Sequence, residues 1–261
     1  MSRIASVFAT PEHKAFIPYL TVGYPNIEAT LETASLLASH GCDMLELGIP
    51  FSDPLADGVT IQEASYQALN QGISPLSCLD TAARIRERVD IPLIFMTYYN
   101  PVFRFGIDKF CQSCHKSGID GLIIPDLPPE EAGELDSLAQ RNQIDIIYLL
   151  SPSSPDERVE LVAQKSRGFI YLISLTGTTG IRENLPPNLE GFVARVRRNS
   201  SQPLCVGFGI STPEHAREVA KIADGVIVGS RLIQLLDEQS TDSIVDFVKS
   251  FREALDSRGQ K

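Results

Sequence analysis

No run of about 18 apolar residues occurs anywhere in the chain, so no transmembrane helix is expected. Residues 1–10 lack the long apolar stretch of a secretory signal, and the expected location is the cytoplasm. Positive charge is scarce. The chain has 23 Lys and Arg against 33 Asp and Glu, a net charge of −10, which argues against nucleic acid or an anionic membrane as the main partner. An acidic protein that holds a phosphate must then do so locally, through backbone dipoles or a rare basic group. Cysteine is odd in number: five residues make no disulfide framework and fit reduced thiols. The one suggestive string, Cys111-Gln112-Ser113-Cys114-His115, matches a haem-attachment pattern. Haem attachment would need export, and both thiols share an apolar helix face with Ile107 and Phe110, so they read as small core hydrophobes. No other cluster has metal-ligand spacing, and no metal is expected. His13, His40 and His215 read as surface or helix-end residues.

Low-complexity tracts, linkers and shifts in composition are missing too, which leaves one domain over residues 1–261. The length suits a (β/α)8 barrel, which typically runs to about 250 residues. Eight short apolar runs cover residues 16–22, 44–49, 91–96, 121–124, 144–149, 168–173, 203–206 and 225–228, each the size of a buried parallel strand. Helical patterns lie between them. A helix is expected near residues 1–13, and Ile244, Phe247, Val248, Phe251 and Leu255 mark a last one over about 240–257. Pro155 and Pro213 each follow a Ser or Thr, the N-cap and first-turn pairing that starts a helix. Strands alternating with helices mean βαβ units and a parallel sheet. An open, doubly wound sheet is the alternative, but eight regular units without a glycine fingerprint favour a closed (β/α)8 (TIM) barrel. Two connections are long, residues 50–72 after the second strand and 174–187 after the sixth. Both fall on the C-terminal face, where barrels build their sites, and suggest a lid.

The second strand carries an unexpected charge. Alternation puts Met44, Glu46 and Gly48 on one face and Leu45, Leu47 and Ile49 on the other. Glu46 then points into the barrel, and Gly48 leaves space above it. A carboxyl there should titrate high, which suits a proton donor near neutral pH. A buried Glu satisfied by a neighbouring hydroxyl is the plainer alternative. Asp53 and Asp57 follow in a loop, where aspartates are often only turn or cap residues. In the second half, glycines cluster after the late strands: Gly177 and Gly180, Gly207 and Gly209, Gly225 and Gly229. Gly229-Ser230 ahead of a short helix over residues 231–236 fits a phosphate held by backbone N–H groups and a helix dipole. Ordinary turn glycines are the alternative.

The string LELGIPFSDPLADG, residues 45–58, resembles the signature of the tryptophan synthase alpha family. So do FIPYLTVGYP (16–25), MTYYNPVF (96–103), LIIPDLPPEE (122–131), YLISLTGTTG (171–180) and GFGIS (207–211), which extends the resemblance over nearly the whole chain. That resemblance implies retro-aldol cleavage of indole-3-glycerol phosphate to indole and glyceraldehyde 3-phosphate. It assigns Glu46 to the indole C3 proton and Asp57 to the indole N–H, with Tyr171 in the same site and Thr179 meeting Asp57 on closure. Gly180, Gly209, Gly229 and Ser230 would hold the phosphate. It implies no cofactor in this chain, a pyridoxal-phosphate beta subunit as partner in an α2β2 heterotetramer, and Asp53, Asn100 and Pro128 on the face that meets it.

The sequence departs from the family at Val59, where proline is common, and at Thr178, where valine is common; neither is a catalytic position. A stand-alone indole-3-glycerol-phosphate lyase would share every catalytic residue. A sugar-phosphate isomerase or epimerase would explain the phosphate glycines but not residues 45–58. A non-catalytic activating subunit is opposed by the intact Glu46, Asp57 and Tyr171.

Overall fold

The computed structural model describes residues 1–10, 12–174, 185–207, 209–238 and 240–257. Its strands are β1 (Ala15–Thr21), β2 (Leu45–Gly48), β3 (Leu93–Met96), β4 (Gly121–Ile123), β5 (Asp145–Ile147), β6 (Leu149–Leu150), β7 (Ile170–Ile173), β8 (Leu204–Gly207) and β9 (Gly225–Val228). The helices that alternate with them are α1 (Arg3–Val7), α2 (Ile27–Ser39), α3 (Val59–Asn70), α4 (Pro75–Arg86), α5 (Tyr99–Phe105) and α6 (Ile107–Lys116). The second half adds α7 (Gly133–Arg141), α8 (Asp156–Lys165), α9 (Leu189–Asn199), α10 (Pro213–Ala220), α11 (Ser230–Asp237) and α12 (Thr241–Asp256).

All strand pairs are parallel, in the order β5-β4-β3-β2-β1-β9-β8-β7-β6. The two ends of that order are halves of one stave. β5 pairs with β4, β6 pairs with β7, and Tyr148 between them accepts a backbone bond from Tyr171 at 3.0 Å. Eight staves therefore close a TIM barrel, with the fifth one bent so that each half serves a different neighbour.

Alternation sorts the side chains. On β1, Phe16 faces out and stacks on Phe251 of α12 with ring centroids 5.3 Å apart, while Tyr19 faces in. The apolar stripe expected on α6 is real: Ile107, Phe110, Cys111 and Cys114 are all buried, and all five cysteines are free and buried. Thr212 caps α10, accepting from the His215 N–H, with Pro213 in the first turn. Pro155 itself occupies the N-cap of α8, because the Ser154 hydroxyl is turned back to accept from the Ser151 N–H. His215 is not a surface residue. It is buried on α10 beside Ala216 and Val219, the inner face of an amphipathic turn. Residues 50–72 are not wholly a loop either, since 59–70 form α3, whose Ile61, Ala64, Ser65 and Ala68 recur at helical spacing and are buried.

The N-terminal mouth is closed by α1, five residues within the expected 1–13. Ile4 is fully buried in the barrel floor. A Cβ on Gly121 would lie 2.7 Å from its Cδ1, and one on Gly168 would lie 2.6 Å from its Cγ2. Two glycines thus make the socket for one isoleucine. The Ser2 hydroxyl donates to Asp145, and Arg3 reaches Asp120 at 3.4 Å, which holds the plug from both sides. Ile4→Ala should leave a cavity with glycine walls that cannot refill it, lowering stability by about 2–4 kcal/mol. Urea unfolding followed by circular dichroism measures this, with an unchanged slope and an earlier midpoint expected.

Candidate active site

At the other end of the barrel, β2 delivers Glu46 into the interior. The residue is 1% exposed, and its Oε2 accepts no hydrogen bond among the described residues. Burial, and then the charge of Asp57, push its carboxyl up to about 8. At neutral pH Glu46 therefore carries its proton.

Asp57 closes over the barrel in the loop between β2 and α3, and is 4% exposed. The Tyr98 hydroxyl donates to its Oδ2 at 3.1 Å and accepts the Ala56 N–H at 3.0 Å, so one phenol fixes both the loop backbone and the carboxylate. Phe51 stacks on the same ring at 5.3 Å, and Gln62 donates to the Asp57 carbonyl at 2.8 Å. Burial raises the Asp57 carboxyl to about 6, with the Tyr98 bond pulling the other way. The strand and the loop thus hold two carboxyls on opposite sides of neutrality, an acid beside an anion.

Two tyrosines line the wall around them. A Cβ on Gly48 would lie 2.0 Å from the Tyr19 Oη, and one on Gly207 would lie 2.2 Å from the Tyr171 Oη. Each phenol lies over a glycine on the neighbouring strand. The space expected above Glu46 is therefore not empty: Tyr19 fills it. Both phenols are raised well above the usual range by burial, Tyr19 next by Asp57 and Tyr171 next by Glu46. Tyr19 and Tyr98 escaped the sequence reading. Strand alternation on β1 would have found Tyr19, whereas nothing local marks Tyr98 as the support of Asp57.

The glycine-rich end lies beside this wall. Gly229 is the N-cap of α11, which runs from Ser230 to Asp237 and so matches the short helix expected there. A Cβ on Gly229 would sit 3.4 Å from the Tyr19 ring. Gly209 takes φ +79°, a conformation that favours glycine. The backbone N–H groups that open α11 and its dipole give an acidic protein a local site for an anion. Gly177, Thr179, Gly180 and most of residues 174–187 lie outside the described residues. Asp53, held by the Ser52 hydroxyl at 2.7 Å, and Asn100 on α5 are exposed, while Pro128 is half-buried after β4.

The family model described as tryptophan synthase alpha chain matches residues 6–257. The chain is 55% identical to the tryptophan synthase alpha chain of Dehalococcoides mccartyi, over 98% of this chain and 100% of that one. It is 49% identical to the corresponding chain of Chloroflexus aurantiacus, over 91% of each. A solved structure of Mycobacterium tuberculosis tryptophan synthase superposes with a TM-score of 0.92 at 35% identity, covering 98% of this chain and 99% of that one.

Removing the Tyr98 hydroxyl tests the geometry around Asp57. Tyr98→Phe keeps the ring stacked on Phe51 but takes away the donor that favours the charged carboxylate. Asp57 should then titrate about one pH unit higher than in the parent. Carboxyl NMR on carbon-labelled protein reads this directly, and an unmoved resonance would remove Tyr98 from the account.

Proposed function

The chain belongs to the tryptophan synthase alpha chain family, and from that premise we propose how its own residues carry the reaction. Proteins of this family are carbon–carbon lyases that cleave indole-3-glycerol phosphate to indole and glyceraldehyde 3-phosphate, and this chain is one of them. The single observation that carries the residue assignment is the pair of buried carboxyls, Glu46 on β2 and Asp57 in the loop above it, which burial pushes up to about 8 and about 6.

Cleavage of the bond between indole C3 and the glycerol chain needs a proton on C3, which turns the ring into an electron sink. Glu46, protonated and buried, is the donor. Positive charge then develops on the indole nitrogen, and the Asp57 carboxylate stabilises it through the N–H. A charge fixed in a dry site can be worth several kcal/mol there because it need not reorganise. Tyr171 packs the ring. The phosphate is bound by the backbone N–H groups of Gly209, Gly229 and Ser230, together with the Ser230 hydroxyl, and Gly180 belongs to the same set. Thr179 meets Asp57 when the site closes.

The chain itself needs no cofactor for this chemistry; pyridoxal phosphate belongs to the beta chain. A beta-subunit partner goes with the family, and an α2β2 heterotetramer in the cytoplasm is the assembly we propose. No helix among the described residues is long and apolar enough to cross a membrane. The docking face is the rim of the barrel mouth, where Leu55 is 85% exposed and Phe103 is 62% exposed. Next to them a cleft of about 380 Å³ is lined by Pro50, Phe51, Ser52, Asn100, Pro101 and Arg104. Such large exposed apolar groups around one cleft fit a partner surface, with Asp53, Asn100 and Pro128 as polar and rigid contacts. A partner seated there would bias the loop that carries Asp57, by no more than its preference for the closed form.

The rate of cleavage should follow a bell. It rises as pH passes about 6 and Asp57 ionises, and falls as pH passes about 8 and Glu46 loses its proton. Glu46→Gln should abolish indole release while leaving substrate binding near the parent value, and substantial turnover in that folded variant ends the assignment. Titrating in beta subunit should raise indole release, and a coupling of ordinary size would tighten substrate affinity by about 5- to 150-fold. High activity alone, with no response to the partner, would favour the stand-alone lyase.

A further inference from the structure

Two buried polar groups in the barrel are each one hydrogen bond short, and they face the same space. The first is Oε2 of Glu46, without a partner among the described residues. The second is the Tyr19 hydroxyl. Thr21 Oγ1 donates to its oxygen at 3.3 Å, which leaves the phenol hydrogen with no acceptor among the described residues. Tyr19 and Glu46 are directly paired in the β1–β2 register, and both point inward. The phenol oxygen sits over Gly48, two residues further along the same inner face, so it lies one layer closer to the barrel mouth than the Glu46 backbone. The two groups do not bond each other, although both want a partner. A small third group between them would satisfy both.

We infer that the Tyr19 hydroxyl is a further positioning group for this reaction: the phenol donates to the oxygen of the substrate hydroxyl whose hydrogen Glu46 takes up. This rests on the function proposed above, and the substrate has such a hydroxyl on the carbon attached to indole C3. The position agrees with the rest of the site. The Tyr19 side chain runs from Gly229 at its base to Gly48 at its hydroxyl, so the glycerol chain would lie along it with its phosphate at the start of α11.

The step balances with both groups in place. Glu46 gives its proton to C3, and a C–H bond forms. The bond from C3 to the glycerol carbon breaks, and its electron pair returns to the indole ring. The O–H pair of the held hydroxyl becomes the new C=O bond, and its proton passes to the Glu46 carboxylate, restoring the acid. Throughout, Tyr19 keeps its proton and fixes the oxygen. Burial, Asp57 and Glu46 all push its pKa up and so oppose its ionisation, which suits a group that only donates. The ionisable neighbours of the pair are Asp57 from the loop, Tyr171 from β7 and Tyr98 after β3, with no cation among them.

The test uses two probes that cannot be cleaved, because a benzene ring replaces the indole: 1-phenylglycerol 3-phosphate, and its counterpart lacking the hydroxyl beside the ring. Tyr19→Phe should weaken the hydroxyl-bearing probe about tenfold by calorimetry, the size of one lost hydrogen bond, and leave the deoxy probe within about twofold. Cleavage of the true substrate should fall in kcat by at least as much. Equal weakening of both probes would mean that Tyr19 only packs, and no change in either would mean that the hydroxyl lies elsewhere; either result overturns the inference. If Tyr19→Phe does not fold, Thr21→Val loosens the phenol and should show the same selective loss at about twofold, with equal loss again decisive against it. Because the probes are read without turnover, this comparison stands even if Glu46→Gln retains activity and the catalytic assignment of Glu46 falls.

Discussion

A carboxyl inside an apolar barrel must either find a positive partner or keep its proton, because an unpaired charge there costs several kcal/mol. Among the described residues no cation is within reach of Glu46, and the neighbours are phenols and a second carboxyl. The residue is therefore held neutral near pH 7, and this one constraint organises the site. A neutral carboxyl can donate a proton that an ordinary surface glutamate has already lost. It also tolerates Asp57 nearby, since two anions in one buried site would repel. The acid–anion pair needs no cofactor and no metal to exist. It needs only that one group sit on a buried strand and the other on a loop tethered by a phenol.

Packing around Glu46 shows how little freedom that arrangement has. Tyr19 and Tyr171 each reach across the barrel wall and lie on a glycine of the next strand, at positions where any side chain would collide with the phenol. The glycines do not serve as turns here. They are the flat places on which large polar rings can lie inside a narrow barrel. The same device closes the floor, where Gly121 and Gly168 accept Ile4. One end of the barrel is sealed by an apolar plug, and the other is lined by groups that hold protons. Stability and chemistry thus sit at opposite mouths, as barrels of this kind allow.

Departures from expectation share one cause. Residues 50–72 looked too long for a connection because α3 begins directly after the functional loop, and its buried stripe is made of one isoleucine with small residues, Ala64, Ser65 and Ala68. His215 looked like a helix-end residue, yet the helix end it occupies is turned inward. The fifth strand reads as one apolar run and is one stave, but Tyr148 splits its pairing between two neighbours. In each case the local pattern was sound, and a contact from a distant segment changed what it meant.

The chain's own order of residues determined the eight staves, the inward direction of Glu46, the helix at Ser230 and the family motif of residues 45–58. All of these follow from a two-residue or 3.6-residue period, or from adjacent residues in a string, and such information is local. Tertiary structure alone decided that Glu46 has no counter-charge among the described residues, that Tyr19 fills the space above it, and that Tyr98 holds the Asp57 carboxylate. Those facts depend on distances between strands that are far apart in sequence, Tyr98 lying 41 residues from the carboxylate it holds. No periodicity encodes which side chain a closed barrel will bring across its wall, because closure sets that through the register of every strand at once.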